Sequence, residues 1–152
     1  ALNCVAKQPE ILLRKKAPII ITPHPGEMSR LTGLATPLVN AERERVALDF
    51  AQKYGVVTVL KGAGTVIASP NGKVLVNPTG NSGMATGGSG DVLAGMTASI
   101  LAQGASAFSS AAAAVYLHGL AGDIAAEKYG KISMLPTDLI NCIPLAYKRC
   151  GF

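Results

Sequence analysis

Asn77-Pro78-Thr79-Gly80-Asn81-Ser82-Gly83-Met84-Ala85-Thr86-Gly87-Gly88-Ser89-Gly90-Asp91 is the stretch on which the reading of this chain turns. It follows a hairpin pattern and precedes a long apolar helical pattern, so it reads as a loop that feeds a helix. Glycines at 87, 88 and 90 let the backbone approach a ligand closely and take up φ > 0. The unpaired N–H groups and positive dipole end of the following helix would then face an anion. Such an arrangement holds a phosphoryl group while its charge redistributes. Asp91 at the helix start would repel phosphate, but it suits a base that takes the proton from a hydroxyl attacking that phosphate. A helix-capping Asp after a flexible turn is the plainer account, yet capping alone does not call for the four glycines from 83 to 90. The loop is not a Walker A motif, because no Lys-Ser/Thr closes it, nor is it a GxGxxG dinucleotide fingerprint.

Upstream, Thr65–Ala68 and Lys73–Val76 are predicted to form a hairpin across Pro70-Asn71-Gly72. The β-branched run Val56–Leu60 reads as a buried strand that leads into Lys61-Gly62-Ala63-Gly64-Thr65. A lysine at a strand end beside glycines can reach a polyphosphate, and Thr65 can hydrogen-bond it; a plain turn explains the glycines equally well. Pro18–Thr22 is a second strand, ended by Pro23-His24-Pro25-Gly26-Glu27, where neither proline can donate. A short helix over about Glu27–Leu31 stops at Gly33. A long one runs from about Pro37 to Tyr54 with Leu38, Val46, Ala47 and Phe50 inward, Glu42, Arg43, Glu44 and Arg45 outward, and Gly55 as its end. Residues 1–16 read as two short helical pieces broken before Pro9.

Downstream, helices are predicted from Asp91 to about Ala102, from about Ala105 to Tyr129, and after Thr137 as N-cap, with Pro144 straining the last. The alternation of elements predicts an α/β fold with a mostly parallel sheet, flanking helices and an antiparallel hairpin, as a single domain over residues 1–152.

Composition narrows the function classes. Of 152 residues, 49% are hydrophobic and 15% charged, with mean hydropathy +0.33, which excludes disorder. Three cysteines, Cys4, Cys142 and Cys150, are too few and wrongly spaced for a disulfide scaffold and read as reduced thiols of a cytoplasmic protein. A net charge of +5, with a cluster at Arg14-Lys15-Lys16, suits an anionic ligand or a solvated basic surface. Without Trp or interleaved aromatics, a nucleic-acid platform is poorly supported. Val92–Gly122 carries no charge, but its Ala, Gly and Ser content and the Gln103-Gly104 interruption predict two close-packed helices rather than a membrane span. No secretory leader is expected, because no charged segment followed by an apolar one opens the sequence. His24 reads as a structural loop residue or a ligand-contacting one, Glu27 as a favourable first-turn carboxylate, and His118 as a packing residue. Two histidines and scattered cysteines make a zinc site an unpromising reading.

ITPHPGEMSRLTG (21–33), VVTVLKGAGTVIASPNG (56–72), NPTGNSGMATGGSGDVLAGMTASILAQGA (77–105) and AVYLHGLAGD (114–123) occur in an order that resembles the NAD(P)H-hydrate dehydratases of the ribokinase-like superfamily. The HPGE form is similar to the bacterial and archaeal branch, which uses ADP. The resemblance implies that hydrated NADH or NADPH is phosphorylated by ADP on its new hydroxyl and then loses phosphate, with Mg2+ accompanying the phosphates. By motif it implies that Lys61, Gly62, Ala63, Gly64 and Thr65, with Asn81, Ser82, Gly83, Met84, Ala85, Thr86, Gly87, Gly88, Ser89 and Gly90, hold the nucleotide. His24 would contact the hydrated substrate, and Asp91 would be the base on its hydroxyl; no metal ligand is implied. It further implies a homo-oligomer, and that the chain corresponds to the C-terminal portion of a longer domain. Two other readings stay open: a ribokinase-like kinase acting on a vitamin-precursor alcohol, and a catalytically silent nucleotide-binding module.

Overall fold

Val46, Ala47, Phe50, Ala51 and Tyr54 are all buried and fall on one stripe of a helix, α4 (Arg43–Tyr54). That stripe packs on a short sheet and organises the first half of the molecule. The computed structural model describes every residue from Ala1 to Phe152, and the chain divides into two compact units, Ala1–Val76 and Asn77–Phe152.

In the first unit, α1 (Leu2–Val5) and a 3-10 helix (Pro9–Arg14) precede strand β1 (Ile20–Ile21), helix α2 (Pro25–Thr32) and helix α3 (Thr36–Ala41). After α4 come β2 (Val57–Leu60), β3 (Val66–Ala68) and β4 (Val74–Val76), in the sheet order β1-β2-β3-β4. The sheet is mixed. β1 pairs parallel with β2 in the register Ile20 with Val57, and the hairpin runs antiparallel with Val59 opposite Ile67 and Ile67 opposite Leu75. The flanking prolines shorten β1 without ending the pairing, since a proline still accepts. Val57 N–H donates to Ile19 O at 2.9 Å, and Lys61 N–H donates to Pro23 O at 2.8 Å. Leu60, Val66 and Ala68 join the α4 stripe in one apolar core with Ile21, Met28, Leu31 and Val39.

Three expectations for this unit are corrected. The sheet, expected to be mostly parallel, has one parallel and two antiparallel pairings. The helix predicted from Pro37 to Tyr54 is two helices, because Glu42 leaves the helical region at φ −124°, ψ 43° between α3 and α4. With that break the rotation changes, so Val39 rather than Leu38 is fully buried. Arg43 is also on the inner side. It precedes Val46 and Ala47 by three and four residues, which puts it on the buried stripe rather than outside with Glu44. Lys15, from the basic cluster, has a structural partner: its ammonium donates to Tyr54 O at 3.0 Å at the C-terminus of α4, where a cation also complements the helix dipole.

The second unit is a 3-10 turn (Ser82–Met84) and three helices, α5 (Ser89–Ala102), α6 (Ala107–Tyr129) and α7 (Pro136–Arg149). α6 packs against both others, and its buried residues, from Ser110 to Ala125, fall on most of its circumference, so it is the centre of this unit. Fully buried Ala111, Ala114, Ala121 and Ala125 permit that close packing. No helix is long and apolar enough to cross a membrane. Two helix starts differ from expectation. α5 opens at Ser89 with Gly88 as its N-cap, so Asp91 lies inside the first turn. α7 opens at Pro136, whose fixed φ suits the first helical position, and Asp138 Oδ2 accepts from Leu135 N–H at 2.8 Å; Thr137 is therefore not the cap.

Candidate functional site

β1 and β2 lie parallel, so their C-terminal ends leave the sheet side by side; in open α/β sheets ligands bind at such ends. His24 follows one strand and Lys61 follows the other, with the Lys61–Pro23 backbone bond joining the two exits.

His24 is the N-cap of α2. Its Nδ1 accepts from Gly26 N–H at 3.1 Å and Glu27 N–H at 3.3 Å, while Glu27 Oε2 accepts from His24 N–H at 2.8 Å. This is a capping box built with imidazole, and Pro25 at the first helical position completes it. Two backbone donors on Nδ1 require that nitrogen to be unprotonated, so the neutral ring carries its proton on Nε2. The ring is about half exposed (52%), which leaves that Nε2–H available to a ligand, with Glu27 Oε2 at 3.5 Å. His24 is thus structural on one edge, while its other edge is exposed beside Glu27. His24→Ala should lower stability by about 1 kcal/mol through loss of the cap. His24→Asn, which keeps a capping acceptor, should melt within about 2 °C of wild type. Thermal melts of both variants check this, and equal losses in the two would remove the capping role.

Loop Lys61–Thr65 is closed on itself. Thr65 Oγ1 donates to Gly62 O at 2.9 Å and accepts from Gly62 N–H at 3.3 Å, so its one proton serves the loop rather than an outside acceptor. Arg43 braces the same loop. Its Nη2 donates to Leu60 O at 2.9 Å and reaches Gly64 O at 3.5 Å, and a Cβ on Gly62 would stand only 3.0 Å from Nη1. Partial burial holds the Arg43 pKa below its ordinary value by desolvation, and its Nε is buried without a partner. An open cavity of about 460 Å³ borders Arg43, Ala63 and Gly64. Sequence reasoning missed this arginine, although its place in the helical period, on the Val46–Ala47 side, was the available signal.

The second unit holds the glycine-rich segment. Gly88 caps α5 at φ +101°, a conformation that favours glycine, and no side chain caps the helix. Asp91 N–H and Val92 N–H bond to Gly88 O, whereas the amides of Gly87, Gly88 and Gly90 have no protein acceptor. Three unpaired donors and the helix dipole give this turn a chemistry that suits an anion. Asp91 is exposed at its edge, in the first turn of α5.

α6 holds the segment at both ends. Thr79 Oγ1 donates to Tyr116 O at 2.9 Å; Gly80 N–H donates to Asp123 Oδ2 at 2.8 Å; and Asn81 Nδ2 donates to Gly122 O and Asp123 Oδ1, each at 3.0 Å. Asn81 Oδ1 in turn accepts from Gly83 N–H at 3.0 Å and starts the 3-10 turn. At the far end, buried His118 places Nε2 2.9 Å from Ser89 O. Met84, expected in the nucleotide-holding set, packs its sulfur against Gly122. The predicted residues therefore gather as two groups, His24 with Lys61–Thr65 in the first unit and Asn81–Asp91 in the second. Nowhere do three or more His, Cys, Asp or Glu side chains come together as a metal site.

Residues 1–145 match the family model described as NAD(P)H-hydrate dehydratase. The chain is 46% identical over 149 residues to the bifunctional NAD(P)H-hydrate repair enzyme Nnr of Moorella thermoacetica, covering 98% of this chain and 28% of that protein. The crystal structure of the ADP/ATP-dependent NAD(P)H-hydrate dehydratase from Bacillus subtilis, co-crystallised with ATP and Mg2+, superposes with TM-score 0.84 at 38% identity, over 87% of this chain and 48% of that one. A ribokinase-like superfamily protein from Enterococcus faecalis superposes with TM-score 0.80 at 32% identity, over 97% and 50%. The fold is ribokinase-like α/β, and the chain spans about half the length of these solved relatives.

Proposed function

The chain belongs to the NAD(P)H-hydrate dehydratase family, and from that membership we propose that it takes part in ADP-dependent repair of hydrated NADH and NADPH. The observation that carries the reading is the Gly87–Asp91 turn, where unpaired amides suited to a phosphate stand next to an exposed carboxylate.

In this reading Asn81–Gly90 and Lys61–Thr65 hold the nucleotide, His24 offers Nε2–H to the hydrated substrate, and Asp91 is the base. The Asp91 carboxylate takes the proton of the ring hydroxyl as that oxygen bonds to the β-phosphorus of ADP and the bond to AMP breaks. The amides of Gly87, Gly88 and Gly90 balance the charge that develops on the transferring group. The phosphorylated carbon then loses phosphate with the C–O electron pair, pushed by the ring nitrogen lone pair, and loss of a neighbouring C–H proton restores the double bond. NAD(P)H, AMP and phosphate result. Magnesium would enter on the nucleotide's phosphates with most of its waters.

The proposal includes a cytoplasmic location, in keeping with three free cysteines, and a homo-oligomer, in keeping with exposed Ile132 and Leu135. It treats the two units as portions of one domain that the relatives carry at about twice this length.

The test is recovery of NADH absorbance from hydrated NADH with magnesium and either ADP or ATP. Recovery with ADP, with AMP and phosphate released in equal amounts, is expected. A stable phosphorylated product would favour the kinase reading instead, and nucleotide binding without turnover would favour the silent module.

A further inference from the structure

Four positions on α6, Tyr116, Gly119, Gly122 and Asp123, recur at helical spacing and meet the start of the glycine-rich segment. Asp123 differs from its neighbours in gripping with a side chain. Each carboxylate oxygen has its own donor, Gly80 N–H on Oδ2 and Asn81 Nδ2 on Oδ1. The second bond, with Gly122 O as co-acceptor, orients the Asn81 amide so that its oxygen points at Gly83 N–H. A negative charge on a segment that receives phosphate opposes the ligand electrostatically, so the benefit of this carboxylate lies in geometry.

We propose that Asp123 is the positioning residue of the nucleotide-holding segment: through Gly80 and Asn81 it sets the Asn81–Gly83 turn before the ligand arrives. The inference rests on the reading that Asn81–Gly90 holds ADP. It concerns a residue that touches neither nucleotide nor substrate and acts through Asn81. An ordered segment binds at full affinity, whereas one ordered only part of the time binds more weakly by that fraction.

Asp123→Asn keeps the volume but can accept at one oxygen only, so either Gly80 N–H or the Asn81 amide faces a second donor. The full chain is compared with the variant by calorimetric titration with ADP and Mg2+ and by amide hydrogen exchange. ADP affinity should fall about tenfold, and exchange at Gly80 and Gly83 should rise about tenfold, while the central amides of α6 exchange as before. ADP affinity within about twofold of wild type, with unchanged exchange at both glycines, overturns the proposal. The unliganded wild-type chain provides an arm that does not depend on the variant folding: protected Gly80 and Gly83 amides support the clamp, and free-chain exchange there overturns it. If wild type takes up no ADP, the nucleotide reading fails, and exchange at Gly80 and Gly83 still decides whether Asp123 sets the turn.

Discussion

If Asp91 is the base proposed above, replacing it with Asn should lower the turnover of hydrated NADH by about two to four orders of magnitude, the usual contribution of a positioned base. ADP affinity is expected to stay within about threefold of wild type or to tighten slightly, because a charge that repels phosphate is removed while the three donor amides remain. The side-chain volume is preserved, and Asn is as short and polar as Asp in the first turn of α5. The structural cost is the lost charge–dipole interaction, about 0.3–1 kcal/mol at an exposed helix N-terminus. Steady-state rates and calorimetric ADP titration of the same preparation separate the two roles. Retained turnover would move the base elsewhere. Lost binding with lost turnover would instead make Asp91 a scaffold of the turn.

Gly119→Ala should cost about 1–3 kcal/mol, the range for forcing a group into a packed site. Intrinsic propensity argues the other way, since alanine gains up to about 1 kcal/mol over glycine in a helix interior. Contact decides the sign. A Cβ at 119 would stand 2.1 Å from Thr79 Oγ1 and 2.8 Å from the Thr79 carbonyl carbon, and backbone cannot swing away as a long side chain can. Moving Thr79 also breaks its bond to Tyr116 O and disturbs the segment that follows, so ADP binding should weaken as well. Gly95→Ala is the control: that exposed position in α5 has nothing within 4 Å of a new Cβ, and it should stabilise by about 0.5–1 kcal/mol. Urea unfolding of the three proteins checks both signs. A Gly119→Ala variant as stable as wild type would mean that Thr79 yields and the contact is not rigid.

The features legible in the sequence were those governed by local chemistry. Of the three glycines expected to take up φ > 0, Gly88 does so at +101°, whereas Gly87 and Gly90 do not. The β-branched Val56–Leu60 run marks a buried strand, which the structure has over Val57–Leu60, and Pro70-Asn71-Gly72 marks a hairpin whose pairing was found. The misses were tertiary. Glu42 breaks one helix into two, although nothing at that position forbids helix. Arg43 was grouped with its charged neighbours, yet its period puts it inside, where it meets the carbonyl of Leu60. α6 contributes to the glycine-rich segment with the carbonyls of Tyr116 and Gly122, groups every residue possesses. Composition cannot flag such contacts. Asp123 stood within a recognised motif, but only folding brings Gly80 and Asn81 to it from about forty residues away.

The three free cysteines divide unevenly: Cys142 is buried in α7, whereas Cys4 and Cys150 are exposed, one in each compact unit. Thiol reagents need access, so Cys142 is shielded and the two accessible thiols react first. Each compact unit therefore carries one accessible thiol of its own, so a dye on Cys4 reports on the first unit and a dye on Cys150 on the second, and either signal can be followed as ADP is added.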